Sequence, residues 1–261
     1  MRVSTCISLT LVVLAGAGAR TASAQGAAAQ SGSQKPARAE HVRISVNAGV
    51  QPFSIAFTSS TAKAVNLENA VVNTGYGVGR GPSFDGGVLF RVAGGLHVGV
   101  AVSTFMKRQD GAVAATIPHP FFYNTPRPIA GAAGSLQRNE FVTHMDVAYV
   151  IAHGKRVDIA LSGGPSWFRV KQDLVTGLTY TESYPYDTVA LAAASSTSVS
   201  VTKIGYNAGA DVGVRVSKGV GVGGLVRFSR ASVEFPLAGA TTNVKSDAGG
   251  VLVAGGLRLF F

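Results

Sequence analysis

Apolar and polar residues alternate with a period of two in about eight segments between residues 41 and 261. The clearest segment is "KIGYNAGADVGVRV", in which apolar residues from Ile204 to Val216 alternate with polar residues and glycines. Successive side chains of a strand point to opposite faces, so each segment predicts a β-strand with one apolar and one polar face. Several segments reach ten residues, and a tilted strand needs about 9–11 residues to cross a bilayer.

Short and long connections alternate between these segments. Tight links fall at 93–95, 151–155 and 217–219, long ones at 53–83, 106–139 and 173–199, and an intermediate one at 236–247. This alternation is typical of an outer-membrane barrel, with short periplasmic turns and long outer loops. A sheet edge in a membrane has no water to bond, so the sheet must close. The sequence therefore predicts an all-β fold, a closed antiparallel up-and-down transmembrane β-barrel of eight strands.

Aromatic residues are expected near both interfaces of this barrel, where amphipathic rings are favoured. The periplasmic set is Tyr149, Phe90 and Phe261, and the outer set is Phe84, Phe141, Trp167 and Phe228. The alternative is a soluble β-protein in which these rings are ordinary strand residues packed in a core.

The first residues, "MRVSTCISLTLVVLAGAGARTASAQ", have the features of a secretory signal peptide. Arg2 precedes an apolar core, and Ala22-Ser23-Ala24 fits the small-x-small cleavage rule. The alternative, a membrane anchor, needs about 20 apolar residues, and Arg20 interrupts the run too early. We therefore predict a cleaved signal peptide over 1–24, a flexible segment over 25–40 and a barrel domain over 41–261, located in the bacterial outer membrane.

Composition agrees with a membrane barrel. Charged residues make up 14% of the chain and hydrophobic residues 46%, yet no run of about 20 apolar residues follows residue 24. The single cysteine, Cys6, lies in the signal peptide, so no disulfide or thiol chemistry is expected in the mature chain. The net charge is +10, but an exported barrel is not expected to bind nucleic acid. The histidines are scattered, and no cofactor or metal is predicted.

The polar face of each strand should point into the barrel. The predicted interior residues are Arg43, Asp85, Arg91, His144, Asp146, Asp158, Asp211, Arg215, Arg227 and Arg258. Buried charges must pair or contact water. One reading is a network of ion pairs that fills the lumen, and the other is a narrow polar pore left open by inward glycines.

Basic residues follow the outer aromatic positions on two strands. Lys107 and Arg108 come after Phe105, and Arg169 and Lys171 come after Trp167. At the height of the outer-leaflet phosphates they could contact lipopolysaccharide, or they could be solvated rim charge. The prolines and aromatic residues of "IPHPFFYNTPRP", 117–128, predict a rigid segment that either folds over the barrel mouth or presents a binding surface, and of the two we expect a structural lid.

A catalytic role is weighed on one pair of residues. His144 and Asp146 are two apart on one strand and share a face, as a base and its orienter would. Such pairs are common in alternating strands, and the chain contains no GxSxG motif. The sequence therefore does not predict an enzyme.

The segments "GPSFDGGVLFRVAGGLHVGVAVSTF" and "HPFFYNTPR", together with the strand pattern, resemble small outer-membrane β-barrels of the OmpA, OmpX and OmpW type. In that class the last strand is recognised by the barrel-assembly machinery. The matching residues here are Gly256, Leu257, Leu259 and Phe261, while Ala254 stands where a polar residue is usual. The resemblance implies outer-membrane lipid, lipopolysaccharide, periplasmic chaperones and the assembly machinery as partners. It implies a structural or surface-interaction role, with a narrow pore for small polar solutes and a lipid A-modifying hydrolase as alternatives.

Overall fold

A computed structural model describes residues 41–153, 156–240 and 242–261. The predicted signal peptide and the segment 25–40 lie outside these described residues. The strands of the described chain are β1 Val42–Gln51, β2 Ile55–Val65, β3 Glu68–Val78, β4 Gly81–Ala93, β5 Leu96–Pro118, β6 Pro126–His153, β7 Val157–Glu182, β8 Val189–Arg215, β9 Val220–Phe235 and β10 Val244–Phe260.

The sheet closes on itself through β1, which pairs antiparallel with β4 on one side and β10 on the other. Val46, for example, lies between Gly86 and Leu257. The ring runs β1-β4-β5-β6-β7-β8-β9-β10 and returns to β1, because β5 also pairs with β6. Ten strands form in the described chain and eight of them make the ring, so the predicted closed barrel is confirmed.

β2 and β3 continue β1 and β4 beyond the ring. The β1–β4 ladder ends at Gln51–Gly81, and the β2–β3 ladder resumes at Ile55–Val78. Pro52 cannot donate a backbone hydrogen bond and marks the interruption. The hairpin turns at Asn66 and Leu67, whose φ angles of 51° and 67° fit a two-residue turn. The expectation of a loop over 53–83 is therefore wrong.

The other two predicted long loops are also mostly strand. β5 and β6 stay paired from Met106–Asn139 out to Pro118–Pro126. β7 and β8 stay paired out to Glu182–Val189. Small residues such as those of "LAAASSTSVS" fit a pleated ladder without an apolar and a polar face, so alternation could not reveal these extensions.

The wall of the barrel is uneven in height. β6, β7 and β8 contain 28, 26 and 27 residues, whereas β9 and β10 contain 16 and 17. β9 pairs with β8 over Tyr206–Arg215. In the described chain the part of β8 before Tyr206 pairs with β7 alone. The wall is therefore tall along β5–β8 and low at β9–β10.

The two surfaces of the ring have inverted polarity. Val46 and Leu257 point outwards with 61% and 55% of their surface exposed, whereas Arg258 and His144 inside the ring are fully buried. In a water-soluble protein the large apolar side chains would be buried and the charged ones exposed. No helix among the described residues is long and apolar enough to cross a membrane.

An apolar cluster fills the outer end of the lumen. Phe57 of β2 stacks on Tyr76 of β3 with ring centroids 4.7 Å apart, and Phe168, Val233 and other residues from around the ring pack against the pair. The Tyr76 hydroxyl accepts a hydrogen bond of 2.9 Å from the Val175 backbone on β7. The β2–β3 hairpin thus occupies the mouth. The segment 117–128, expected to be a lid, instead forms the tip of the β5–β6 hairpin.

Candidate functional site

Two linked clusters of ion pairs lie in the lumen at the end of the ring where β1 begins and β10 ends. In the first, Arg43 of β1 contacts both Asp211 and Asp158, the latter at 3.2 Å. Arg258 of β10 donates two hydrogen bonds to the Asp211 carboxylate, at 2.5 Å and 3.1 Å. Arg215 approaches Asp158 to 3.7 Å. Each side chain occupies an inward position of its strand, as the alternation predicts.

The second cluster lies further along the lumen. Arg227 of β9 binds Asp85 at 2.6 Å and Asp146 at 3.2 Å. Asn47 connects the clusters, because it donates to Asp85 at 3.1 Å and accepts from Arg258 at 2.6 Å. The two clusters together hold four arginines and four aspartates: Arg43, Arg215, Arg227, Arg258, Asp85, Asp146, Asp158 and Asp211. Their charges balance, which is the condition for burying them.

Arg91 does not join this network. It occupies an inward position on β4, but it lies beside the tight turn where the ring ends, and its side chain is exposed. Its guanidinium donates to the Gly94 carbonyl at 2.7 Å. Arg215, also near this end, lies over the Phe260 ring at 4.4 Å. Near the end of a strand, therefore, an inward position in the alternation is not enough to place a side chain in the lumen.

His144 sits in a polar layer above the ion pairs. Its Nδ1 lies 2.8 Å from Ser166 Oγ and its Nε2 lies 3.0 Å from Ser103 Oγ. Asn207 donates to Ser166 at 3.0 Å. Asp146 shares the face of His144, but its carboxylate binds Arg227. The histidine–aspartate contact considered for catalysis is therefore not the contact that His144 makes.

Ser103, Ser166 and Asn207 were not identified from the sequence, although a usable signal existed. All three occupy inward positions, and the register sets Ser166 opposite His144, with Ser103 and Asn207 each two residues away from that row on β5 and β8. A serine hydroxyl beside an imidazole nitrogen can act as a nucleophile with its base. Here, however, His144 is fully buried and the apolar cluster covers the lumen on its outer side.

A separate buried ion pair on β6 joins the polar layer to the apolar cluster. Arg138 binds Glu140 at 2.6 Å, donates to the Asp247 carbonyl at 2.6 Å and lies over the Phe57 ring at 5.9 Å. Glu140 accepts from the Gly249 backbone at 2.9 Å. Sequence reasoning missed this pair because both residues lie at the edge of a segment taken for a loop. The pair fixes β6 to β10 across the barrel.

The basic residues predicted for the outer rim do not share one surface. Arg108, Arg169 and Lys171 point outwards and are exposed. Lys107 follows the inward series of β5 and lines an interior cavity with Tyr76, among others. Consecutive residues of a strand lie on opposite faces, so the side chains of Lys107 and Arg108 leave β5 on opposite sides of the wall.

The described residues contain no group of three or more histidine, cysteine or acidic side chains arranged to hold a metal ion.

A closed antiparallel ring with apolar side chains outside and a charge-balanced interior defines a transmembrane β-barrel of the outer-membrane kind.

Solved structures with a similar arrangement are outer-membrane proteins. Neisserial surface protein A is 16% identical, with a TM-score of 0.40 over 84% of this chain and 97% of its own. OprG from Pseudomonas aeruginosa is 6% identical (TM-score 0.44), and the outer-membrane protease OmpT from Escherichia coli is 9% identical (TM-score 0.45). Each of these two matches covers 85% of this chain and 97% of the solved one. No family model matches the chain, and no curated protein matches its sequence. The class assigned above rests on the ring and its inverted faces.

Proposed function

We propose that this chain is an exported outer-membrane barrel whose interior is structural and whose outer projection makes contacts at the cell surface. The observation that carries the proposal is the contrast between the two parts. The lumen contains balanced ion pairs, a polar layer and an apolar cluster in succession. The outer hairpins, by contrast, form a packed body with exposed rings at its tip.

The tip of the projection is held in a defined shape. Arg127 binds Glu182 at 2.7 Å and the Pro118 carbonyl at 2.9 Å, which ties the β5–β6 hairpin to β7. His119 accepts hydrogen bonds from the backbone of both Phe121 and Phe122. The exposed rings are Phe121, Phe122, Tyr123 and Tyr184. Exposed apolar patches of this kind mark interaction sites.

The exposed rings cannot belong to the membrane belt of the same molecule. Phe141 is the outermost large ring of the β6 belt, and β6 begins 15 residues further out at Pro126. At about 3.3 Å per residue and a tilt of about 40°, the tip stands about 40 Å beyond the belt. A surface at that distance is available to partners outside the cell.

Conductance in planar bilayers tests the structural interior against the narrow pore. We expect silence over many insertions of the full barrel. A variant in which a short turn replaces residues 55–78 removes Phe57 and Tyr76 but keeps the ion pairs, so insertion of both proteins is confirmed separately by the heat-modifiable gel mobility of the reconstituted barrel. Steady single-channel steps from the unaltered protein would refute the proposal and establish the pore.

Surface contact is tested with the tip itself. Cells that display the protein are compared with cells displaying Phe121→Ser/Phe122→Ser/Tyr123→Ser, in attachment to one another and to epithelial layers. Leu67→Ser, at the fully exposed tip of the other hairpin, is the control. We expect attachment to fall only in the triple variant. Equal attachment by displaying and non-displaying cells would contradict the proposed role.

Export and assembly complete the proposal. We infer cleavage after Ala24, guidance by periplasmic chaperones and recognition of the last strand by the barrel-assembly machinery. Gly256, Leu257 and Leu259 lie on β10, which closes the ring, and Phe261 follows it directly, its backbone donating to the Val42 carbonyl at 2.9 Å. We also propose that Arg169 and Lys171, exposed just beyond Trp167, contact lipopolysaccharide.

A lipid A-modifying hydrolase is the second candidate, favoured by the contact between Ser103 and His144. Incubation of the refolded protein with lipopolysaccharide, followed by mass spectrometry of the acyl chains, tests it. We expect no change in mass. Loss of an acyl chain with the unaltered protein, abolished in Ser103→Ala, would establish the hydrolase instead.

A further inference from the structure

The junction between β3 and β4 opens a cleft in the barrel wall. β3 pairs with β5 from Gly75–Ala112 outwards, and β4 pairs with β5 from Ser83–Phe105 inwards. Between these two ladders Gly79 and Arg80 leave the pairing. The Gly79 backbone donates to the Gln109 side chain at 2.8 Å, and a Cβ on Gly81 would meet the Phe105 ring at 2.9 Å. The two glycines therefore permit the close approach that shapes the cleft.

Three cations gather at this cleft. Arg80, Lys107 and Arg108 line one open groove, together with Ser54 and Gln109. Among the described residues, no carboxylate lies within 4.0 Å of any of the three side-chain cations. The groove therefore carries uncompensated positive charge.

Two other exposed cations of the outer region are paired with carboxylates. Arg230 pairs with Asp247 at 2.8 Å, and Lys245 pairs with Glu234 at 3.6 Å. The acidic residue nearest in sequence to the cleft, Asp110, accepts a hydrogen bond from the Ser135 backbone at 2.8 Å. Cations without a carboxylate within 4.0 Å also occur elsewhere among the described residues, for example Lys63 and Arg169, and the cleft differs in that three of them line one groove.

The cleft begins where the apolar belt ends. Along β4 the outward positions run from Phe84 through Pro82, and the next in that series is Arg80. Along β5 the outward Met106, which is exposed, is followed by the outward Arg108. Each column therefore changes from apolar to cationic over one outward step. In a bilayer that transition is the level of the phosphate groups.

We propose that the cleft binds a phosphate group and that the Arg80 and Arg108 guanidinium groups hold its oxygens while Lys107 adds charge from the inner side. A guanidinium offers a planar fork of donors that matches phosphate, and lysine contributes a compact charge. Because the site faces the belt boundary, lipid A of the outer leaflet can supply the phosphate, and a soluble phosphate can reach the same open groove. The lipid source rests on the proposed outer-membrane location, whereas phosphate binding does not.

The test compares two triple variants in detergent-refolded protein freed of lipopolysaccharide. Arg80→Gln/Lys107→Gln/Arg108→Gln removes the cleft charge. Lys63→Gln/Arg230→Gln/Lys245→Gln removes the same charge elsewhere on the outer region. Binding of fluorescent lipid A is titrated with its phosphates present and after their enzymatic removal, and pyrophosphate is titrated separately. Heat-modifiable gel mobility confirms that each variant is folded.

We expect the cleft variant to weaken phosphorylated lipid A binding by about a hundredfold, since three basic residues act together at the surface. The control should change by less than about threefold, as separate surface charges do. Removal of the phosphates should abolish the difference between the variants. Pyrophosphate binding that depends on the cleft, with no preference for lipid A, would support the phosphate site and assign it a soluble ligand. Equal losses in both triple variants, or no loss in the cleft variant, would overturn the proposal.

Discussion

Replacing Arg258 by methionine should cost the barrel a large part of its stability. Arg258 is fully buried, binds Asp211 through two nitrogens and donates to Asn47 at 2.6 Å. Methionine retains much of the length of the side chain but none of its donors. Asp211 keeps only its contact with Arg43, and the Asn47 oxygen loses its donor.

The magnitude follows from the two groups left behind. Removing one partner of a buried ion pair costs about 3–5 kcal/mol, because the remaining charge stays buried. An abandoned buried acceptor such as the Asn47 oxygen costs about 1–3 kcal/mol. These costs overlap in one network, so we expect the free energy of unfolding to fall by about 3–5 kcal/mol.

Urea titration in micelles, followed by the fluorescence of Trp167, measures this free energy. Arg91→Met is the matched control, since Arg91 is exposed at the end of the ring, and it should change stability by less than about 0.5 kcal/mol. The double variant Arg258→Met/Asp211→Asn should lose less than the sum of the single losses, by about 1 kcal/mol or more. Equal effects of Arg258→Met and Arg91→Met would refute the reasoning that the network holds the barrel.

Four other predictions concern closure, assembly, the outer cluster and export. Gly256→Ala should hinder closure of the ring, because a Cβ there would meet the Asn47 Cα at 2.8 Å. Gly255→Ala is the control, since its Cβ would meet nothing nearer than 3.7 Å. Heat-modifiable gel mobility measures closure, and its loss in both variants or in neither would contradict this prediction. Deleting Phe261 should lower the yield of assembled barrel in the outer membrane more than it lowers the unfolding free energy of the barrel that does assemble, and a normal surface yield would count against the assembly signal. Phe57→Ala should cost about 3–5 kcal/mol and expose the β2–β3 hairpin to protease before the ring unfolds, and simultaneous digestion of both would show that the cluster is not a separate unit. The mass of the purified mature protein should correspond to a chain beginning at Gln25, and an intact N-terminus would contradict the predicted signal peptide.

The membrane ring could be predicted because its two faces differ in chemistry. From Ile204 to Val216 one face contacts lipid and the other contacts charges, so the alternation is strong. The outer parts of the same strands leave the lipid, and stretches such as "LAAASSTSVS" of β8 are small and polar on both faces, although β5 keeps a buried apolar face at Val113, Ala115 and Ile117. Strand register still holds there, but the sequence contrast that reports it is lost.

The interior could be predicted in membership but not in pairing. The alternation of faces identified the inward aspartates and arginines. It could not show that Asp146 binds Arg227, or that His144 contacts two serines instead of Asp146. Pairing depends on the relative height of strands that are distant in sequence. The same alternation would have separated Lys107 from Arg108, since neighbouring residues of a strand face opposite ways.

The uneven wall gives the molecule a direction within the plane of the membrane. The tall side, β5–β8, stands above the headgroups and carries the exposed rings, and the low side, β9–β10, ends close to the belt. Neighbours that approach from these two sides meet different surfaces at different heights. The contact between two copies inserted side by side therefore depends on how each is rotated about the membrane normal. In any array of copies, the difference in strand length would give every molecule a tall side and a low side.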